Sequence, residues 1–133
     1  MADPNLEQAA AAVRQHAYAP YSKFRVGAAV RVDGRVFEGV NVENASYPVS
    51  VCAERNAIAA AVAAGARSLE AVAVCTESSP PSSPCGACRQ VLAEFAAHPD
   101  RVTVVAINPA GERRTWTLAE LLPDAFTGRE LPP

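Results

Sequence analysis

The chain has 133 residues, 50% hydrophobic and 20% charged, a size and balance that fit one domain over residues 1–133 and exclude a disordered or fibrous protein. Twelve Lys and Arg against fourteen Asp and Glu give a net charge of −2. Without a basic stripe for a phosphate backbone, long nucleic acids are not expected as substrates. Met1-Ala2-Asp3-Pro4-Asn5 lacks the basic start and apolar stretch of a secretory signal, and no window approaches a membrane span. A cytoplasmic location is therefore expected. There the four cysteines stay reduced, which favours metal binding or catalysis over a disulfide framework.

Leu6, Ala9, Ala10, Val13 and Ala17 recur at helical spacing and predict a first helix over 6–17, stopped by Pro20. Residues 24–32 and 35–42 read as two strands joined at Asp33-Gly34, a pair that favours positive φ in a hairpin turn. A run of Ala, Ile and Val from Cys52 to Ala64, closed by Gly65, predicts a buried second helix. Leu69 to Cys75 reads as an interior strand. The Ser- and Pro-rich stretch 77–84 sustains neither helix nor sheet and leads into a third helix from Cys85 to Ala97. Val102 to Ile107 and Arg113 to Leu118 complete the strands, and a short helix over Leu118 to Leu122 precedes a Pro-rich tail. That order implies a three-layer α/β/α sandwich on a mixed five-stranded sheet, with both faces covered.

Two short segments carry the chemistry: Cys52-Ala53-Glu54 and Pro84-Cys85-Gly86-Ala87-Cys88. Cys85 and Cys88 share one helix face, with β-carbons about 5 to 6 Å apart, close enough for one metal with sulfur bonds of about 2.3 Å. Alone, such a pair fits a redox site or half a structural zinc site equally well. Cys52 supplies a third thiolate, and three thiolates leave a tetrahedral zinc open on one side, where Glu54 can move protons. Cys52 and Glu54 diverge within a regular helix, so they serve one centre only if the helix begins within a residue of Cys52. Three thiolates on a divalent ion leave negative charge to be compensated. Helix N-termini offer one source, and Arg55, donating toward sulfur, offers another. Cys75, in an apolar strand, reads as core packing, as does Trp116, and His16 and His98 receive no role.

Cys-Ala-Glu-Arg at 52–55 followed by Pro-Cys-Gly-Ala-Cys-Arg-Gln at 84–90 resembles the zinc deaminases. With Tyr21-Ser22-Lys23-Phe24-Arg25-Val26-Gly27-Ala28-Ala29 and Asn41-Val42-Glu43-Asn44-Ala45-Ser46-Tyr47 upstream, the pattern is similar to the small three-cysteine cytidine deaminases of free nucleosides, from about Ala17 to Phe126. The resemblance implies Cys52, Cys85 and Cys88 as ligands of one Zn²⁺ per subunit and Glu54 as proton shuttle. It further implies Asn41 and Glu43 on the ribose 3′-hydroxyl, Phe24 on the pyrimidine and Tyr47 closing the nucleoside-binding segment. Phe126 is implied to reach a neighbouring subunit's site in a homotetramer. The implied reaction is hydrolysis of cytidine and 2′-deoxycytidine to the uridines and ammonia. A deaminase of a cytosine-containing antibiotic, a structural zinc module for partner binding and an editing deaminase of RNA or DNA are the rivals, the last opposed by the net charge and the short loops around the motifs. The Asn41-Val42-Glu43-Asn44 segment opposes the first, and an open coordination position on the metal would oppose the second.

Overall fold

The structure, a computed structural model, describes residues 3–133. Helix α1 (Pro4–Val13) starts where Asp3 caps it, its carboxylate accepting from the Leu6 amide at 3.2 Å, with Pro4 in the first turn. It ends earlier than its apolar spacing predicts. Arg14–His16 tighten into a 3₁₀ turn, and Tyr18 then pairs with Val42 as an isolated bridge, drawing the chain out of the helix.

Strands β1 (Gly27–Val32) and β2 (Arg35–Val40) form the expected hairpin. Asp33 and Gly34 take φ of 51° and 75°, as the turn requires. Both strands are shorter than the sequence predicts because Asn41 interrupts the ladder. Its side-chain oxygen accepts from Val26 N at 2.9 Å and its amide donates to Phe24 O at 2.8 Å. Helix α2 (Ala53–Ala63), β3 (Leu69–Cys75), α3 (Gly86–Glu94), β4 (Thr103–Ile107), β5 (Arg113–Thr117) and α4 (Leu118–Leu121) follow in the predicted order. The third helix stops short of Ala97, where the Phe95 carbonyl accepts from Leu69 N at 2.9 Å. The sheet runs β2-β1-β3-β4-β5, parallel only between β3 and β4.

Side-chain alternation along β1 and β3 divides the core. Val30, Val32, Val72 and Val74 face α2 and α3, where they pack with Ala57, Ile58, Leu92 and Leu118. Ala29, Ala73 and Cys75 face α1, where they meet Leu6 and Ala10. The expected mixed sheet and the covering of both faces are thus present, and Cys75 is a packing residue on the α1 face. Trp116 packs against the opposite cluster, with the Arg114 guanidinium 4.6 Å from its ring centroid.

Gly39 sets the height of α2 above the sheet. A Cβ there would run into the Ala57 amide and the Ala53 carbonyl, so the first turns of α2 lie directly on β2. Asn56 adds a tie, donating to Val40 O at 2.8 Å. Among the described residues, no helix is long and apolar enough to cross a membrane.

Candidate active site and metal centre

Both cysteine motifs lie at helix starts. Cys52 is the N-cap of α2 and Cys85 the N-cap of α3, each with extended torsions, φ −72° and ψ 156° for the first, φ −66° and ψ 168° for the second. Neither side chain caps its own helix, which leaves both sulfurs free to turn inward. The helix start predicted at Cys52 is therefore observed, and it is what allows Cys52 and Glu54 to approach one centre.

The sulfurs of Cys52, Cys85 and Cys88 all lie within 4.8 Å of one another, and Cys52 Sγ stands 3.8 Å from Cys85 Sγ. Two thiolates on a tetrahedral zinc with bonds of about 2.3 Å stand about 3.8 Å apart, so the cluster has the span that the ion needs. The charges around it also fit. Arg55 Nη2 donates to Cys52 Sγ at 3.5 Å, and Arg55 Nε is the buried side-chain nitrogen left without a partner among the described residues. A cationic donor held in reserve beside thiols is what a site gaining negative charge requires.

Cys52 is held down to about 5, first by the hydrogen bond from Cys88, with Arg55 and Cys85 adding to it against the effect of burial. Cys88 moves the opposite way, above the ordinary thiol range, because it supplies that hydrogen bond to Cys52 and is buried. A divalent cation at the three sulfurs would take the place of the protons that they share. These residues fit zinc.

Glu54, in the first turn of α2, is 5% exposed. Burial pushes its carboxyl up to about 7; its own backbone amide and Arg55 oppose the shift, while the Cys52 thiolate reinforces it. It lines a cavity of about 200 Å³ together with Phe24, Asn41, Cys52, Cys85 and Thr76. A carboxyl that changes protonation near neutral pH, enclosed beside a metal-binding cluster, suits proton transfer.

The structure distributes the remaining residues singled out in the sequence over three places. Phe24 and Asn41 line the cysteine cavity. Glu43 and Tyr47 line a second recess of about 280 Å³ with Tyr21, Ser22 and Ser50. There the Glu43 carboxylate accepts from Tyr21 N at 3.0 Å, Ser22 N at 3.1 Å and the Ser22 hydroxyl, and the Ser22 bonds hold its pKa below the usual range. Phe126, 59% exposed, lies on a third and larger concavity beside Ala93 and Glu94, with its carbonyl accepting from Gln90 Nε2 at 2.8 Å. Thr76, Ser82 and Ser83 also line the cysteine cavity and were given no role in the sequence reading. Their loop shows in sequence only as an absence of helix and strand signals. Its order comes from side chains: Ser78 Oγ bonds Thr76 Oγ1 at 2.8 Å and Ser82 Oγ at 2.6 Å, and Asn108 donates to Ser78 O at 3.0 Å.

An α/β/α protein that gathers three thiols at two helix starts beside a buried glutamate has the constitution of a hydrolytic zinc enzyme. Residues 2–114 match the family model described as the cytidine and deoxycytidylate deaminase zinc-binding region. The chain is 47% identical to the cytidine deaminase of Sporosarcina psychrophila over 119 residues, covering 89% of this chain and 86% of the relative. It is 43% identical to that of Mycobacterium tuberculosis over 129 residues, 96% and 89% of the two chains. The crystal structure of cytidine deaminase from Burkholderia pseudomallei superposes with a TM-score of 0.87 at 50% identity, covering 95% of this chain and all of the other. The chain belongs to the cytidine and deoxycytidylate deaminase family, and Cys52, Cys85 and Cys88 are its zinc-binding triad.

Proposed function

We propose that the chain hydrolyses cytidine and 2′-deoxycytidine to uridine and 2′-deoxyuridine, releasing one ammonia. The observation that carries this is the buried Glu54 carboxyl in one cavity of about 200 Å³ with Cys52 and Cys85 of the triad. Names borne by relatives of closely similar length point to the same substrate.

Cys52, Cys85 and Cys88 would hold the zinc, which when bound would supply Lewis acidity that makes water a usable nucleophile near neutral pH. Glu54 accepts a proton from that water and delivers it to N3 of the pyrimidine as oxygen bonds to C4. Glu54 then takes the proton of the new C4 hydroxyl and passes it to the amino group, the C4–N4 bond breaks as the C4 carbonyl forms, and ammonia leaves. Cytidine and one water are consumed; uridine and one ammonia are formed. Arg55 holds the Cys52 thiolate in its charged form throughout. Phe24 packs on the ring, and Asn41 and Glu43 take the ribose 3′-hydroxyl. The Glu43 carboxylate takes two of its three donors on Oε1 and one on Oε2, which leaves Oε2 able to accept the hydroxyl as well.

Tyr47 closes the nucleoside-binding segment, and the exposed Phe126 completes a neighbour's site in a homotetramer. A cytoplasmic setting keeps the free thiols reduced. The test is a substrate panel. Cytidine and deoxycytidine should turn over within about a hundredfold of each other, since no group here reads the 2′ position, with uridine and ammonia in equal amounts. Turnover of a cytosine-containing antibiotic in place of both nucleosides would transfer the assignment to that substrate.

A further inference from the structure

We propose that Arg89 is a positioning residue that fixes the Cys85 corner of the zinc site and couples it to the C-terminal segment. Arg89 stands one turn into α3, its amide bonded to Cys85 O at 3.0 Å. Its guanidinium reaches three acceptors on two other segments: Nε donates to Pro84 O at 2.7 Å, Nη2 to Ser83 Oγ at 2.8 Å and Nη1 to Leu121 O at 2.7 Å.

The two carbonyl acceptors lack an alternative within their own elements. Pro84 is fully buried and lies just outside the helix that Cys85 caps, so its carbonyl has no place in the helical ladder. Leu121 is the last residue of the four-residue α4, where carbonyls lose their intrahelical partners. Ser83 lines the cysteine cavity. The guanidinium fork spans all three at once, which the single ammonium of a lysine does not. Gln90, the next residue, holds Phe126 O at 2.8 Å. The turn of α3 that begins with Cys85 and Cys88 thus also holds the C-terminal segment at two points. The inference rests on the cysteines holding zinc and is independent of which substrate is used.

The test is the rate at which zinc-loaded protein gives up its metal to a chromophoric chelator, well below the unfolding temperature, for wild type, Arg89→Lys, Arg89→Ala and Ser83→Ala. Arg89→Lys should release zinc about tenfold faster or more, with an unchanged far-UV circular dichroism spectrum. Ser83→Ala, which removes one of the three bonds, should show a smaller acceleration in the same direction. A residue that served overall stability alone would lower the melting temperature and leave release from the folded protein at the wild-type rate. That result overturns the proposal. Should Arg89→Ala fail to fold, wild-type release from both Arg89→Lys and Ser83→Ala overturns it equally.

Discussion

Glu54 and Arg55 are adjacent in sequence and take opposite parts in the site. Burial keeps the Glu54 carboxyl near the point of proton exchange, while Arg55 directs a donor at Cys52 and keeps a second nitrogen unpaired. Replacing Arg55 with Ala should reduce turnover by about ten- to a hundredfold, the loss expected for a charge-assisted hydrogen bond. Zinc content, set by the three cysteines, should fall much less. Parallel kinetics and metal analysis check this, and wild-type values for both would remove the role given to Arg55. At this scale the ligands and Glu54 were legible because their chemistry depends on residue type and spacing. Thr76, Ser82 and Ser83 were not, since hydroxyls in a loop have no periodicity and come together only through their own hydrogen bonds. Nor does sequence reveal that Glu43 is engaged by Ser22, a pairing across 21 residues that depends on how the Tyr18 and Val42 segments meet.

Helix α2 reaches the cluster only because β2 carries a glycine beneath it. Gly39→Ala should destabilise the protein by about 1 to 3 kcal/mol through overpacking, and should also lower turnover by displacing the turn that bears Glu54. Urea unfolding and kinetics on the same preparation test both effects. At the other end of the chain, Asp3 caps α1 and pairs with Arg31 at 2.8 Å, joining the helix to β1. The hydrogen bond from Arg31 holds the Asp3 carboxyl below its ordinary value. A depressed carboxyl stabilises the fold above its unfolded pKa near 3.8, and that stability is lost as pH falls through the lower folded value. Asp3→Asn should therefore cost up to about 1 kcal/mol at pH 7, as for a partly exposed pair, and the difference from wild type should shrink as pH falls below 3.8 and be gone once pH is below the lowered folded value. Element type and order were readable from periodicity and from Asp33-Gly34. Element ends were not: α1 yields to the Tyr18 bridge, and β1 starts late because Asn41 takes the amide of Val26.

For the molecule as a whole, the zinc triad joins two helices that share one apolar cluster on one side of the sheet. Chelation should lower the melting temperature and zinc should restore it, because an ion bound at a thousand times its dissociation constant adds about 4 kcal/mol to the folded state. An unchanged melting curve would mean that the cluster does not hold the metal tightly. The division into layers was legible from alternating apolar strands, whereas the concavity under Phe126 depends on where the C-terminal segment comes to rest and has no sequence pattern of its own. The most direct measurement is the turnover of cytidine by the zinc-loaded protein beside Glu54→Gln, with metal content determined for both. Wild type should form uridine and ammonia one to one, and Glu54→Gln should retain zinc and lose at least about a hundredfold in turnover. Undiminished turnover by a zinc-replete Glu54→Gln would contradict the assignment of both proton transfers to that carboxyl.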